Sequence, residues 1–400
     1  MLDLSKIADQ MQGISQQLTQ EASATRQRLE KAQQLMEQAF RRQDELVELQ
    51  QVWRDRLNFT AAAPIEPLNL TASLATPPAA HTVIATDGSQ IAPSHHEIAY
   101  CYLLNVGRIV LHYGQNRFPL LDSLPEVVYR PEDLYISRQW GISTEEWMGY
   151  RRTVAESVVL AELAIGTSSG ETLQAKSPSP PMLALTDGSL IYWFLESLPH
   201  EARDRILTPI LSAWDQLQRA KIPLLGYLSA SRSGEALNFL RLPACPYETP
   251  DCLSRCAGQR DRLPCQVLEP LKDTKFWAIQ LAPGQRSPLW RSSANILELY
   301  GDHRVYFCYV HVGTEVARVE FPEWVVQDEE LLNSSLSMVI AQVQKGYGYP
   351  VALAEAHNQA VVRGGDRTRF FALLEQEMIR AGLQNVGVSY KEARKRGSIA

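Results

Sequence analysis

The most constraining feature of this sequence is a repeated tripeptide, Asp-Gly-Ser, which occurs at residues 87–89 and again at residues 187–189. Each copy directly follows a short apolar run. An apolar run that stops at a glycine predicts a buried β-strand ending in a turn. We therefore expect two strands that present Asp87 and Asp187 at a sheet edge, where the backbone bends away.

Length and composition indicate a globular protein. The 400 residues suffice for two or three structural units or one elaborated domain, and 45% of them are hydrophobic. The net charge of −6 excludes a polycationic chain, so nucleic-acid binding would depend on a local basic surface. No apolar run reaches the ~18 residues that cross a bilayer. The first residues lack the apolar core of a secretory signal, so we expect a cytoplasmic protein without membrane contact.

The middle of the chain alternates predicted strands and helices, which is typical of a mixed α/β sheet flanked by helices. Gly107 separates two strand-like runs and predicts a hairpin turn. A Ser/Pro/Gly-rich surface loop is predicted at 167–181. The predicted strands are 83–89, 98–105, 108–113, 183–189 and 223–228, and the predicted helices are 144–165 and 191–219. A second hairpin is predicted from 304–312 and 315–321, followed by C-terminal helices at 328–345, 350–364 and 366–382.

Residues 1–58 are predicted to form one long helix, because apolar and small residues recur at alternating steps of three and four, as in a coiled coil. Such a helix packs on its own domain or on a dimer partner, or it serves as a docking helix for another protein. Prolines mark 59–80 as a linker. Residues 81–385 then form the main domain, with a Pro- and Cys-rich insertion at 243–300, and 386–400 form a basic tail.

Two carboxylates at neighbouring strand ends have the chemistry needed to hold a divalent metal over a phosphate. Mn²⁺ and Mg²⁺ prefer oxygen ligands and can activate water and stabilise a leaving oxygen. We expect a third acid from the helix at 144–165, where Glu156 is favoured over Glu162. Gly88 and Gly188 would let a phosphate backbone approach closely. The alternative is that both motifs are ordinary turns with no binding role.

A second chemical signal lies near the C-terminus, in the segment 347–357. His357 falls about two turns into a helix that begins with Pro350, and small residues flank it. Its imidazole could bind a metal or polarise a phosphate, and the alternative is a histidine satisfied in the core. Tyr349, just before the helix, could donate a hydrogen bond to a phosphate, and the alternative is a packing role.

Taken in order, the first Asp-Gly-Ser, the helical glutamate, the second Asp-Gly-Ser and the Tyr-Pro…Ala-His segment at 349–357 resemble the NurA nuclease family. The resemblance covers about residues 80–380. It implies a ribonuclease H-like fold and a manganese-dependent (Mn²⁺ or Mg²⁺) DNA nuclease that degrades DNA 5′ to 3′. It also implies a homodimer with a central channel, and work with a HerA-type translocase in DNA end resection and repair.

Carried over residue by residue, the resemblance implies catalytic roles for the residues that match the family's acids and its late tyrosine and histidine. These residues are Asp87, Glu156, Asp187, Tyr349 and His357. The metal would be held by Asp87, Glu156, Asp187 and His357. Local cations for DNA contacts would be Arg151, Arg152, Arg232, Arg363, Arg367 and Arg369, whose alternative role is a solvated surface charge.

Two other functional classes remain open on the sequence alone. An actin-like ATPase also uses a repeated acidic-glycine turn, in that case to hold the phosphates of a nucleotide. A coiled-coil adaptor with a decayed catalytic fold would account for the long N-terminal helix. Cleavage polarity and strand preference depend on channel shape, which the residue pattern does not encode.

Four closely spaced thiols, here called the cysteine cluster, form the remaining feature: Cys245, Cys252, Cys256 and Cys265. Their spacing does not match the paired Cys-x2-Cys knuckles of zinc ribbons. A structural zinc or an iron–sulfur cluster is one hypothesis, and unpaired loop thiols are the favoured one. Cys101 and Cys308 lie in strand-like runs and are expected to be buried thiols.

Overall fold

The structure, a computed structural model, describes residues 4–93, 99–169, 180–259 and 263–382. The predicted basic tail at 386–400 and most of the predicted loop at 167–181 lie outside the described residues. The described α-helices are α1 Leu4–Arg41, α2 Gln43–Trp53, α3 Pro131–Leu134, α4 Thr144–Ser169, α5 His200–Arg219, α6 Glu235–Phe239, α7 Cys252–Arg255, α8 Asp273–Gln280, α9 Glu323–Val326, α10 Glu329–Lys345, α11 Val351–Ala360 and α12 Gly364–Arg380.

The β-strands lie between these helices in sequence. They are β1 Ala63–Pro64, β2 Ala72–Ser73, β3 His81–Ile91, β4 Tyr102–Tyr113, β5 Leu120–Val128, β6 Met182–Asp187, β7 Leu224–Leu228, β8 Gln285–Arg286, β9 Trp290–Arg291, β10 Val305–His311 and β11 Val316–Pro322. Four of these strands, β1, β2, β8 and β9, are only two residues long. Short 3₁₀ helices lie at Arg54–Arg56, Ile136–Trp140, Trp193–Ser197 and Asn295–Tyr300.

The chain divides into two compact units, each built from several separate segments. Unit 1 consists of Met1–Leu74, Ser189–Ile191 and Tyr227–Glu323. Unit 2 consists of Ala75–Gly188, Tyr192–Gly226 and Trp324–Ala400.

Unit 2 is built on a mixed sheet with the strand order β7-β6-β3-β4-β5. β3 and β6 are parallel neighbours, with Thr82 opposite Met182 and Thr86 opposite Thr186. β4 is antiparallel to β3, and β5 is antiparallel to β4. Helices α4 and α11 pack on β3 and β4. A mixed α/β sheet flanked by helices was predicted, and this part of the prediction is confirmed.

The first Asp-Gly-Ser motif lies inside a strand, so the prediction of a turn there is wrong. β3 continues through Asp87 and Gly88, which pair with Gly107 and Val106 of β4. The second motif is a turn as predicted, because β6 ends at Asp187 and Gly188 has a φ of +102°. The two copies of one tripeptide therefore have different backbone conformations.

The predicted hairpin at Gly107 is also wrong, since β4 runs without a break from Tyr102 to Tyr113. Gly107 instead faces α11: a Cβ atom there would lie 2.3 Å from the Ala356 carbonyl oxygen and 2.6 Å from the Ala360 nitrogen. The glycine makes room for a helix backbone rather than for a turn. The antiparallel partner of β4 is β5, Leu120–Val128, which the sequence analysis missed.

In unit 1, β1, β9, β10 and β11 are consecutive sheet neighbours, and β10 and β11 form the predicted antiparallel hairpin. The predicted single helix over 1–58 is broken at Arg42, whose φ of −130° leaves the helical region. The break directs α2 into the unit, where Leu46 is buried and the Gln50 side chain donates a hydrogen bond to the Ala61 carbonyl at 2.9 Å.

The second half of α1 packs on the hydrophobic core of unit 1 through Ala32, Leu35 and Ala39. Four large apolar side chains of its first half are exposed: Leu4, Met11, Ile14 and Leu18. The coiled-coil assignment for this stretch stays a prediction. Residues 59–80, predicted as a linker, contain β1 and β2, and Ala61 and Ala62 within them are buried.

A buried polar network crosses the core of unit 1. Arg318 pairs with Glu320 at 2.7 Å and with Glu235 at 3.1 Å, and its guanidinium lies 3.5 Å from the centre of the Phe307 ring. The carboxyl group of Asp273, which is fully buried, accepts hydrogen bonds from the backbone N–H groups at the start of α6. Paired charges of this kind avoid the large cost of burying an isolated ion.

None of the helices in the described ranges is both long enough and apolar enough to span a bilayer.

Candidate active site

The register between β3 and β6 brings the two motif aspartates to neighbouring positions. Thr86 and Thr186 are directly paired in the parallel ladder. Asp87 and Asp187 each follow one residue later on adjacent strands. The predicted meeting of the two aspartates therefore holds, although β3 continues beyond its aspartate and β6 does not.

Asp87 is fixed by two hydrogen bonds. The Gly88 N–H donates to its Oδ1 at 2.8 Å, and the His357 Nδ1 lies 2.8 Å from its Oδ2. His357 comes from α11, which packs against β3 and β4 at Gly107. The His357 side chain is 66% exposed, so it is not the core histidine that the sequence left as an alternative.

Gly88 makes room for the third carboxylate. A Cβ atom at this position would lie 2.3 Å from Glu156 Oε1 and 2.7 Å from Arg152 Cγ, so an alanine would displace both side chains. The hydroxyl of Thr86 donates to the Glu156 carbonyl at 2.9 Å and fixes α4 at this level. The sequence predicts a close approach of phosphate at Gly88, and the contact that the structure describes there is with α4.

Glu156 is the most perturbed acid of the group. Its side chain is only 19% exposed, and its pKa is raised to about 7. Burial is the largest cause of this rise, the nearby carboxylates of Asp87 and Asp187 contribute to it, and the Arg152 guanidinium, 3.2 Å away, and the Gly88 backbone oppose it. A buried carboxyl group with a raised pKa beside two other acids is a frequent mark of a functional site.

Asp187 lies at the exposed end of β6 and is held by the tyrosine found in the sequence. The pKa of its carboxyl group is raised, first by partial burial and also by the nearby negative charge of Asp87. A hydrogen bond from Tyr349 and the nearby His357 act in the opposite direction and lower this pKa. Tyr349 thus contacts a carboxylate rather than being a packing residue alone. Each of the five predicted site residues lies within electrostatic or hydrogen-bonding reach of at least one other, and Asp187 interacts with each of Glu156, Tyr349, Asp87 and His357.

The donor chemistry of this group fits a hard divalent cation, because three carboxylates and an imidazole provide mainly oxygen ligands. Across the part of the chain that the structure describes, no three His, Cys, Asp or Glu side chains are already set around one point as metal ligands. Asp87 and Glu156 pair instead with His357 and Arg152. Ion binding would exchange these pairings for bonds to the metal.

The rival acid Glu162 is exposed on α4, beside a surface cavity of about 280 Å³ that Arg108 also lines. No contact with either aspartate is described for it. Of the proposed DNA-contacting arginines, Arg152 pairs with Glu156, and Arg151 lies 3.8 Å from Glu126. The Arg152–Glu156 pair is not among the sequence predictions, although the i, i+4 spacing of the two residues on a predicted helix is a usable signal for it.

Comparison with known proteins identifies the family. The NurA domain profile matches residues 81–362. The crystal structure of the NurA nuclease from Sulfolobus solfataricus is similar in fold, with a TM-score of 0.52 and 13% sequence identity, over 96% of this chain and 99% of that one. A comparison with curated protein sequences gives no match. Because the profile covers most of the chain, including both Asp-Gly-Ser motifs and the Tyr-Pro…Ala-His segment, this protein belongs to the NurA family.

Proposed function

We propose that this protein is a metal-dependent DNA nuclease that hydrolyses phosphodiester bonds. One observation carries the proposal: Asp87, Glu156 and Asp187 converge from two parallel strands and a helix, with Tyr349 and His357 beside them. Membership of the NurA family and the fold shared with a NurA nuclease support the same reaction class.

The metal would be Mn²⁺ or Mg²⁺, held by Asp87, Glu156 and Asp187 with His357 at its edge. When bound, such an ion supplies Lewis-acid stabilisation of the phosphate and lowers the pKa of a bound water. The chain itself orients the ligands. Tyr349 holds the Asp187 carboxylate by a hydrogen bond, and His357 holds Asp87 at 2.8 Å. The exposed imidazole edge of His357 is available to a substrate phosphate.

Arg152 is proposed to have a double role. In the absence of an ion it neutralises Glu156 across 3.2 Å, and once released it is a cation beside the site that can contact the DNA backbone. Arg151, Arg363, Arg367 and Arg369 of unit 2, and Arg232 of unit 1, are proposed as further phosphate contacts. Binding through several such contacts weakens steeply with salt.

The finer assignments follow the resemblance to the family. We propose 5′ to 3′ exonuclease and single-strand endonuclease activity in DNA end resection, a homodimer as the active form, and a HerA-type translocase as partner. A cytoplasmic location agrees with that role.

The actin-like ATPase loses support from the backbone. That function would use both Asp-Gly-Ser motifs as phosphate-holding turns. The first motif is part of a continuous strand, and its glycine faces Glu156 and Arg152 rather than an open loop.

The test is the substitution Asp187→Asn, which keeps the shape of the side chain but removes its charge. We expect Mn²⁺-dependent DNA cleavage to fall by more than about a hundredfold, because an amide is a poor ligand and metal affinity depends strongly on each ligand. Binding of Mn²⁺, measured by calorimetry, should weaken in parallel.

The matched control is Asp204→Asn on α5, where the side chain is 58% exposed and pairs with His200. This variant should cleave DNA at the wild-type rate. Wild-type cleavage by Asp187→Asn in the presence of Mn²⁺ would contradict the assignment of the site.

A further inference from the structure

The cysteine cluster is the strongest feature of unit 1 that the proposed nuclease activity does not use. All four thiols are free, and Cys252, Cys256 and Cys265 are 7%, 9% and 5% exposed. They lie in a segment with little regular structure, in which α7 is a single helical turn.

The fold brings thiols from separate parts of this segment together. Cys252 begins α7 and Cys256 directly follows its last residue, and the Cys256 N–H donates to the Cys252 carbonyl at 3.0 Å. Cys256 and Cys265 pack in one buried cluster with Leu263, and Ala244, the neighbour of Cys245, packs against it. The thiol of Cys245 interacts electrostatically with those of Cys252 and Cys265, and that of Cys256 interacts with all the others.

A buried cation lies beside the thiols. The Arg241 side chain is 6% exposed, its Nη2 lies 3.4 Å from the Cys265 sulfur, and its guanidinium stacks 3.7 Å from the centre of the Phe59 ring. A centre bound by four thiolates carries net negative charge in both common forms, zinc and [4Fe–4S]. Arg241 also pairs with the half-exposed Glu269 carboxylate at 3.6 Å, so its charge is shared between that group and the thiols. A guanidinium within reach of one sulfur is compatible with a negatively charged centre at the cluster.

We propose that unit 1 contains a four-thiolate site for a thiophilic metal centre, a zinc ion or an iron–sulfur cluster, formed by Cys245, Cys252, Cys256 and Cys265. The sequence favours unpaired loop thiols, and the shared packing and mutual electrostatic interaction of the four thiols are what support a common site instead. The sulfurs are not already placed as a ligand set in the described chain, so the side chains rotate inward when the centre binds. Binding releases the thiol protons to solvent as the thiolates form.

Two other uses of the thiols agree less well with the structure. A nucleophilic or redox-active cysteine needs a lowered pKa, whereas burial raises the pKa of Cys245 and of Cys256. Disulfide bonds would join the sulfurs in pairs, whereas all four thiols are free.

The position of the cluster indicates what the centre would stabilise. Asp251 caps α7 through the Ser254 N–H at 3.1 Å, and Arg56 bonds both Asp251 Oδ2 and the Ser254 hydroxyl at 2.7 Å. Phe59, three residues after Arg56, packs against the cluster. The centre would therefore stabilise the packing of the cysteine-bearing segment against the residues that follow α2, within unit 1.

The experiment measures zinc, iron and acid-labile sulfide in full-length protein purified anaerobically without chelator. We expect either about one zinc per chain or iron and sulfide near four each with a charge-transfer absorbance. Apoprotein made with a chelator under reducing conditions should unfold at lower temperature and recover when Zn²⁺ alone, or ferrous iron with sulfide, is returned.

The matched variants are Cys252→Ala with Cys256→Ala, and Cys101→Ala, which removes a buried thiol of unit 2. The double variant should lose the metal, and the single variant should keep it. If the double variant does not fold, reconstitution of the wild-type apoprotein still decides the question.

Less than about a tenth of an equivalent of either metal, before and after both reconstitutions, would overturn the proposal. Detection of a disulfide within the cluster in protein kept under native conditions would do so as well. Neither outcome depends on DNA cleavage, so the nuclease proposal is tested separately.

Discussion

At the scale of single residues, the site depends on a position that has no side chain. Gly88 lies in a regular strand. A Cβ atom added to Gly88 would lie only 2.3 Å from Glu156 Oε1, so the carboxylate occupies the space that a side chain would need. Gly88→Ala should move the Glu156 carboxylate, and DNA cleavage should fall by about a hundredfold or more, since displacements near 1 Å have effects of that size. Stability should fall by only about 1–3 kcal/mol.

The control for this substitution is Gly166→Ala on the same helix as Glu156. No atom lies within 4 Å of a Cβ added there, and alanine favours the helix. Steady-state cleavage and thermal unfolding are measured on both variants. Full activity of Gly88→Ala would show that the position of Glu156 does not matter to the reaction.

The sequence predicted which side chains meet, because chemistry-bearing residues at strand ends and one turn apart on helices follow simple geometric rules. Asp87, Asp187 and His357 are examples. It did not predict the closeness of Gly88 to Glu156, since a glycine that accommodates a neighbouring helix and a glycine that makes a turn look alike in one sequence. Of the two motif glycines, Gly188 has the positive φ expected of a turn and Gly88 does not.

At the scale of elements, α11 is held against the sheet by its backbone, and this contact positions His357. Asn105 Nδ2 donates to the Ala360 carbonyl at 2.8 Å, and Ser89 donates to the same oxygen. Gly107→Ala would place a Cβ 2.3 Å from the Ala356 carbonyl oxygen, where neither backbone can yield easily. We expect a loss of about 1–3 kcal/mol in the free energy of unfolding, with weakened DNA cleavage.

Gly149→Ala on α4 is the matched control, because an added Cβ there meets no atom within 4 Å. It should stabilise the protein by up to about 1 kcal/mol through helix propensity. Denaturant unfolding of both variants measures the difference. Equal stability of the two variants would mean that α11 can move off β4 at little cost.

Elements with local start and stop signals were predicted well. The β10–β11 hairpin turns at Gly313, and α10 begins after Asp328, whose side chain accepts a hydrogen bond from the Leu331 N–H. β4 was split in two because Gly107 resembles a turn glycine, and the contact with α11 that explains it is a tertiary one. β5 was missed because most of its side chains are exposed, so its apolar pattern is weak.

At the scale of the whole molecule, the two units could not be read from the sequence. Unit 1 joins residues 1–74 to 227–323 and to the short piece 189–191. Composition shifts and proline-rich stretches mark boundaries along the chain, whereas these units are assembled from distant segments. The prolines of 59–80 suggested a linker, yet the Glu66 carboxylate in that stretch pairs with the guanidinium of Arg286 at 2.6 Å.

The core of unit 1 also gives the molecule a pH-dependent stability. The pKa of Asp273 is raised to about 6, and burial is the cause. Hydrogen bonds from Tyr309 and from the Leu237 and Ala236 N–H groups lower this pKa but do not cancel the effect of burial. The unfolded chain has an ordinary Asp pKa near 4, so the native state binds the proton more tightly. This contribution to stability is therefore complete below about pH 4 and is lost as the pH rises through about 6.

Two pKa units correspond to about 3 kcal/mol, which is the largest change this carboxyl group can produce. Asp273→Asn should have a lower free energy of unfolding than the wild type at every pH, because the amide cannot accept all three hydrogen bonds. Between pH 4.5 and about 7, however, the free energy of unfolding should fall less in this variant than in the wild type, because the titrating carboxyl group is gone. The exposed Asp302→Asn is the control and should keep the wild-type slope. If Asp273→Asn and the wild type lose stability in parallel over this range, the Asp273 carboxyl group is not the source of the pH dependence.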